Sequence, residues 1–312
     1  MHLKEQNQSN QTALTYFILL GFSEAHEIQI LLFTAFLVYY LVAVGGNLLI
    51  ISTVATDHHL HNPMYFFLMN LAIQDIGQVS VIFPKSMANS ILDSRQISYS
   101  GCVAQVLFYV FFVAADFSLL TVMAYDRYVA ICNPLQYEML MNKQACLQMT
   151  AIVWITSFLY GVLHTGGTFA APFCSNVVNQ FFCEIPALLK LTCSNFYLLE
   201  FGLVLLGAAV LVGCFIFIIV TYVCIFNAVL KIPSMQGRQK VFSTCLPHLI
   251  VVSVFISVGC LVYIKPSSNS PSYPDLAFTV LYSMVPPLMN PIIYSMKNKE
   301  IKKSLSKILL LK

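Results

Sequence analysis

Charged side chains are scarce in this chain. Asp, Glu, Lys and Arg make up 9% of its 312 residues and hydrophobic residues 58%, whereas soluble domains carry roughly 25% charged residues. Such a composition excludes a water-soluble domain and places the chain in a bilayer. The net charge is only +3, and no basic run lies outside the C-terminal tail, so a nucleic-acid partner is not expected. The start, MHLKEQNQSNQTALTYF, has no apolar stretch after a basic segment. No cleavable signal peptide is expected, and the first span serves as its own insertion signal. Low-complexity tracts and soluble-type repeats are missing. No His-Glu-x-x-His occurs, nor any Gly-x-Ser-x-Gly within a span, which argues against an intramembrane hydrolase. His164 and His248 fall near opposite ends of their spans, too far apart to share a metal.

Long apolar runs are what the chain does have. A bilayer core needs about 20 apolar residues in a helix, and seven stretches qualify: roughly 28–54, 63–83, 102–126, 146–165, 199–228, 240–264 and 275–295. Helices are the form available to them, because lipid offers backbone groups no partners. The expected fold is an all-α membrane protein, a seven-transmembrane helix bundle with a short amphipathic C-terminal helix. Residues 1–27 form an extracellular tail, 28–295 the bundle, and 296–312 a cytoplasmic helix and tail in which Ile301, Leu305, Ile308 and Leu309 recur at helical spacing among lysines. Such a helix lies along the anionic inner leaflet.

Basic residues set the orientation. One side holds Arg127, Lys143, Lys231, Arg238, Lys240, Lys297, Lys299, Lys302, Lys303, Lys307 and Lys312; the other holds Lys4, Lys85, Arg95, Lys190 and Lys265. The richer side is cytoplasmic. An odd number of spans then puts the N-terminus outside, where the sequons at Asn7 and Asn10 are open to glycosylation. The first cytoplasmic loop is an exception, with Asp57, His58, His59 and His61 but neither Lys nor Arg. Of ten cysteines, Cys132, Cys214, Cys224, Cys245 and Cys260 lie within spans and read as small buried hydrophobes. Cys102, Cys174, Cys183 and Cys193 lie in or beside outer polar connections, and four cysteines allow three pairings.

Ionisable residues inside a membrane point to function. Asp75 lies ~18 Å from the inner end of span two, and Asp116 lies ~16 Å above Arg127 in span three, at 1.5 Å per residue. The eleven residues between Asp116 and Arg127 return to within about 20° of the same helix face. Two carboxylates at one depth do not both stay ionised cheaply: one takes a proton, or a small cation such as sodium sits between them. Asn47 and Asn290 add amides to spans one and seven. Pro286, Pro287 and Pro291 each remove a backbone donor from span seven and leave carbonyls for buried amides to satisfy.

The segments MAYDRYVAIC, PMYFFLMNLAIQD, KVFSTCLPHLIVV and NPIIYSMKNKEIKKSL, in this order and in these spans, resemble the olfactory receptor family of rhodopsin-like, G-protein-coupled receptors over roughly residues 17–307. The resemblance implies a plasma-membrane receptor that binds a small-molecule odorant and raises cyclic AMP through a stimulatory olfactory-type G protein. It implies an ionic lock at Asp126-Arg127-Tyr128, with Arg127 turning inward on activation to meet Tyr222. Lys240, Ser243, Thr244, Cys245 and His248 match the family's inner motif of span six, and Asn290, Pro291 and Tyr294 its span-seven switch. Asp75 matches the sodium-site acid. Asp116 stands where the family more often has Glu. The resemblance also implies a Cys102–Cys183 bridge, with Cys174 and Cys193 available for a second. Two positions depart from the family. Gln180-Phe181-Phe182-Cys183-Glu184 replaces a histidine-first motif discussed as a copper site, and Gln is a poor transition-metal ligand. Ile256 stands where a span-six tyrosine is common.

A ligand of such a bundle binds between the outer halves of spans three, five, six and seven. Depth counted from Arg127, ~20–27 Å, selects Tyr109, Val110, Val113 and Ala114. Matching depth elsewhere selects Leu206, Gly207 and Val210; Ile256, Gly259, Cys260 and Tyr263; and Val280 and Ser283. The set is apolar, with no acid at this depth in span three to pair with an amine. The expected ligand is a small, neutral, mostly hydrophobic volatile. The rival reading, an ion or small-solute transporter or channel, calls for broken helices in both halves and an internal repeat; here the proline-rich break is confined to span seven.

Overall fold

A computed structural model of the chain describes residues 14–20, 25–92, 94–193, 197–264 and 273–310. Within it, side chains at 197–201, 240, 258–264, 273–277, 295–297, 299 and 307–310 are not described. Six helices among the described residues are long and apolar enough to cross a membrane: α1 (His26–Thr56), α2 (Pro63–Leu92), α3 (Tyr99–Cys132), α5 (Lys143–Phe169), α7 (Tyr197–Leu230) and α8 (Met235–Ile264). The proline-rich α9 (Tyr273–Lys297) is the seventh of the bundle. Short helices α4 (Tyr137–Leu140) and α6 (Ile185–Leu189) lie in loops, and α10 (Lys299–Leu310) is the amphipathic C-terminal helix.

Polar side chains start several of these helices by occupying orphan backbone donors. Ser98 accepts from the Gly101 N–H at 3.1 Å and Asn142 from the Ala145 N–H at 2.9 Å. Asn298 accepts from the Glu300 and Ile301 N–H groups at 3.0 and 3.2 Å, opening α10. The helices outrun the apolar segments that predict them, α2 among them. It passes through Pro84 and ends at Leu92 rather than near residue 83. That last stretch lies in the polar outer zone, where hydropathy no longer marks the helix.

The main core joins α2, α3, α5 and α9 through residues such as Leu68, Leu71, Leu120, Met123 and Tyr294. The helix most exposed along its length is α7, with Val210, Ile216 and Val220 each more than half exposed. In water such a face is a liability; in hydrocarbon it is the surface the solvent wants.

Bundle helices meet a small sheet at one end. Strands β1 (Tyr16–Leu19), β2 (Gln96–Ser98) and β3 (Val177–Val178) lie in the order β2-β1-β3. The β1–β2 pair is antiparallel with Phe17 opposite Ile97, and β1–β3 is parallel with Ile18 opposite Val177. The sequence reading treats residues 16–19 only as part of the N-terminal tail. Their alternation buries Phe17 and Leu19, and the flanking loops supply the backbone partners that an isolated four-residue strand lacks. Cys102 is bonded to Cys183 and Cys174 to Cys193, with Cα separations of 5.6 and 5.1 Å. The first bridge ties the start of α3 to the loop between α5 and α7 inside the cluster formed by Phe17, Leu19, Ile97 and Val178.

Because the Cys102–Cys183 bridge spans 81 residues, its loss frees a large loop in the unfolded chain, worth roughly 4–5 kcal/mol in the chain-entropy account. Cys102→Ser is expected to lower the thermal unfolding midpoint and to remove most receptor from the cell surface. Cys174→Ser, which opens a 19-residue loop, is expected to do less. Surface labelling with a denaturation series checks the order.

Candidate functional site

At one end of the bundle the C-terminus of α1, the start of α2, the end of α3 and the end of α9 converge with α10. Asp126 is buried on α3, and one of its oxygens lies 3.6 Å from the Arg127 guanidinium, itself 11% exposed. The Tyr137 hydroxyl of α4 donates to the other Asp126 oxygen at 2.8 Å. The acid is thus held by its sequence neighbour and by a residue from the following loop. Burial, and then the adjacent Asp126 charge, push the Tyr137 phenol well above its ordinary range, so it stays protonated and remains a donor.

Ten residues deeper in chain terms than Asp126, the Asp116 side chain is fully buried and neither of its oxygens has a hydrogen-bond partner. Asp75 on α2 is equally buried and receives the Asn290 amide on both oxygens, at 3.0 and 3.1 Å. Its partner Asn290 precedes Pro291, and the α1 residue Asn47 donates to the Pro287 carbonyl at 3.1 Å. This is the carbonyl that the missing N–H of Pro291 would have bonded four residues on. Gly46 allows the approach: a Cβ there would sit 3.2 Å from the Pro291 ring. The oxygen-only donor set of Asp75 and Asp116 suits a small hard cation. Among the described residues, no group of three or more His, Cys, Asp and Glu side chains is placed to hold a metal.

Three helices meet at His248. The Leu120 carbonyl of α3 can only accept, so His248 Nε2 carries the proton and donates to it at 2.9 Å. In the neutral ring Nδ1 then accepts from the Tyr222 hydroxyl of α7 at 2.7 Å. Tyr222, expected from the resemblance to meet Arg127 on activation, is here held by α8. Tyr128 packs against Ile225, Val229 and Cys245, and the Lys240 side chain lies outside the described residues. Tyr294 is buried in the main core with its hydroxyl unpartnered.

The outer end brings together part of the expected pocket. Tyr109 packs edge-on to Phe182, ring centroids 5.3 Å apart, in a cluster with Val280. Val110 packs against the roof cluster, Val113 and Ala114 are half-buried on α3, and Ile256 packs on the main core beside Phe255. Ser283 is buried and its hydroxyl donates to the Val280 carbonyl at 3.1 Å, so its proton is already committed. Leu206 and Val210 are 58% and 59% exposed on the outward face of α7. Gly207 sits against the Tyr160 hydroxyl of α5. The structure does not gather these α7 residues with the others: depth is readable from sequence, azimuth is not. The side chains of Cys260 and Tyr263, and Gly259 beside them, lie outside the described side chains, and Asn7 and Asn10 outside the described residues.

Several contacts at this end had no signal in the sequence. Gln180 donates to the Thr279 hydroxyl at 2.9 Å, and the Tyr282 hydroxyl bonds Glu184. Gln105 accepts from the Cys183 N–H at 2.8 Å and donates to the Val81 carbonyl at 3.0 Å. With the Ser86 hydroxyl of α2 also 3.4 Å from the Phe181 carbonyl, the loop that carries Cys183 is strapped to α2, α3 and α9. Gln180, read from sequence as a poor metal ligand, is a structural hydrogen-bond donor.

The fold is shared with squid rhodopsin: TM-score 0.67 over 92% of this chain and 87% of that one, at 16% identity. The likeness gives the chain a seven-helix bundle fold, and six of its helices are long and apolar enough to cross a membrane. The olfactory receptor family profile matches residues 36–312. Human Olfactory receptor 14A16 is 47% identical over 302 residues, covering 96% of this chain and 97% of the relative. Human Olfactory receptor 14C36 is 48% identical and gorilla Olfactory receptor 1G1 45% identical, each aligned over 96% of both chains. The chain belongs to the olfactory receptor family, whose members are G-protein-coupled, small-molecule receptors of the plasma membrane rather than enzymes.

A hydrogen bond to a charged partner is worth about 1.5–3 kcal/mol. Tyr137→Phe is expected to destabilise the purified receptor by an amount in that range, and by clearly less in an Asp126→Asn background. A double-mutant cycle on thermal unfolding measures the difference.

Proposed function

We propose that this receptor binds a small, mostly hydrophobic volatile in the outer half of its bundle and activates a stimulatory olfactory-type G protein, raising cyclic AMP. The observation that carries the reading is the closed inner end. The Tyr222–His248–Leu120 bridge joins α3, α7 and α8, and the Asp126–Arg127–Tyr137 cluster holds the end of α3 to α4, where a G protein would dock. Odorant binding beneath the roof acts through α8 and α9 to break these ties. Arg127 then turns inward, Tyr222 leaves His248, and the inner end of α8 moves outward. Asn290, Pro291 and Tyr294 are the pivot on α9.

Orientation follows from the same reading. The disulfides and sheet lie outside, where oxidising conditions favour them. The α10 lysines Lys302 and Lys303 face inner-leaflet lipid, and the sequons at Asn7 and Asn10 are accessible for glycosylation. The bundle takes residues 28–295, between an extracellular tail and a cytoplasmic helix. The ligand pocket takes Tyr109, Val113, Ala114, Ile256, Gly259, Tyr263, Val280 and Ser283; Val110, at its rim, joins it to the roof.

Sodium is the proposed occupant between Asp75 and Asp116, because the unpartnered Asp116 oxygens make an anion there costly unless a cation or a proton joins it. It would favour the resting arrangement by holding α2 to α3.

Two measurements test this. Arg127→Ala is expected to abolish odorant-evoked cyclic AMP while leaving surface display within about twofold; unchanged signalling sinks the mechanism. The purified receptor is expected to melt at a higher temperature in sodium than in an equal concentration of N-methylglucamine, and Asp116→Asn is expected to erase the difference. Identical curves for the unsubstituted receptor refute the sodium assignment.

A further inference from the structure

A second cavity lies at the outer end of the bundle, away from the expected odorant pocket. It is enclosed by α1 (Gln29, Leu32, Phe36), α2 (Ser86, Asn89, Ser90), Arg95, the end of β1 and Phe181 of the long loop. None of the residues assigned above to the odorant pocket lines it. Its free volume is about 40 Å³, room for roughly three waters or a ligand of a few heavy atoms.

The walls differ in kind. Leu19, Leu32, Phe36 and Phe181 make an apolar side, with Phe36 stacked on Phe181 at a centroid distance of 6.0 Å. The α2 side is polar, and its hydroxyl protons are already committed. Ser86 donates to the Ile82 carbonyl at 3.0 Å and Ser90 to the Ser86 carbonyl at 3.1 Å. Both oxygens keep lone pairs for an incoming donor. Asn89 Oδ1 is buried and has no hydrogen-bond partner. A buried acceptor left unpaired is costly, so this wall calls for a ligand that donates. Arg95, in the same lining, opposes a donor that carries positive charge, which disfavours ammonium compounds. A carboxylate, though drawn by Arg95, has no proton to give Asn89 Oδ1 and would face the acceptor oxygens of Ser86, Asn89 and Ser90.

We propose that this cavity is a second ligand site, and that it takes a short neutral alcohol. The hydroxyl donates to Asn89 Oδ1, and the alkyl part lies on Leu32, Phe36 and Phe181. The inner wall of the site continues toward the odorant pocket: Phe181 contacts Phe182 at 4.9 Å between centroids, and Phe182 contacts Tyr109 at 5.3 Å.

The test is saturation-transfer NMR on the full-length receptor in nanodiscs of deuterated lipid, with receptor-free nanodiscs subtracted. The probes are 2-propanol and acetone, equal in heavy atoms but only the alcohol a donor, together with propionate and propylamine. The expected result is saturable transfer to 2-propanol, with acetone, propionate and propylamine each weaker by about tenfold, the worth of one such hydrogen bond. Asn89→Leu should weaken 2-propanol by a similar factor, and Leu32→Trp should abolish binding by filling the cavity. Val113→Trp, which obstructs the odorant pocket, should leave it unchanged, so failure of the odorant reading and failure of this site give different results. Equal binding of acetone, transfer that survives both Leu32→Trp and Asn89→Leu, loss of transfer in Val113→Trp, or no transfer to the unsubstituted receptor overturns the proposal.

Discussion

The amide of Asn47 makes the hydrogen bond that Pro291 cannot. In a bilayer core an unsatisfied carbonyl has no water to turn to, and the cost runs to several kcal/mol. Pro291 can stand in α9 because Asn47 Nδ2 reaches the Pro287 carbonyl from α1 and Gly46 lets the two helices come close enough. One residue before Pro291, Asn290 spends its amide on Asp75. The weak point of α9 is thereby tied to α1 and α2 by side chains, not by its own backbone. Side-chain ties can be exchanged one at a time, whereas a backbone ladder yields only by unwinding. A helix built this way can bend at one place and remain intact elsewhere.

The two ends of the molecule are held by bonds of different strength. At the sheet end, a covalent bridge, a three-stranded sheet and contacts from Ser86, Gln105, Gln180 and Tyr282 fix the long loop to α2, α3 and α9. At the Asp126 end, the ties described across α3, α7 and α8 are two hydrogen bonds through His248, while an ion pair within α3 and a hydrogen bond from α4 hold Asp126. Each of the two bonds through His248 is worth about 1 kcal/mol net. A ligand that gains only a few kcal/mol from one helix arrangement over another can shift an inner end held this way, while the roof stays in place. At α10 the inner end is firmer: Tyr65 donates to Asn298 and Glu300, Ser304 bonds Asp57, and Ile301 is fully buried. The Lys- and Arg-free loop between α1 and α2, an exception to the charge pattern, therefore has a structural use: Asp57 is the acceptor for α10.

Features whose physics is local were legible in the sequence. Seven apolar runs give seven helices because bilayer thickness sets their length. Asp126 and Arg127 are adjacent, and the span-seven prolines announce carbonyls in need of a donor, though not that the donor is Asn47, 240 residues away. Features that depend on distant pairs were not legible. Gln180 and Thr279 are 99 residues apart and Tyr65 and Glu300 235 apart, and neither pair has a pattern that a single sequence exposes. Tyr137 is eleven residues from Asp126, but a loop turns the chain between them. The roof strand at 16–19 is too short for its alternation to stand out from the tail. Leu206 and Val210 show a further limit. Helical rise assigns them a depth, but nearly every position of α7 is apolar, so no polar face indicates which way the helix is turned.

Gln180 shows how one substitution can change the task of a loop without changing its place. A histidine there would offer a ring nitrogen to a soft metal near Cys183. The glutamine amide instead donates to Thr279 of α9, and Cys183 is already consumed in the bridge to Cys102. With the thiol oxidised and the ring nitrogen gone, neither of the soft donors that a copper ion would need remains at this point. What is left is a hydrogen-bonded strap between the roof and α9, on the same helix as the Asn290–Pro291 bend. Thr279 and Asn290 lie eleven residues, about three helical turns, apart on α9, so the strap to the roof and the ties to α1 and α2 hold the two ends of one helical segment.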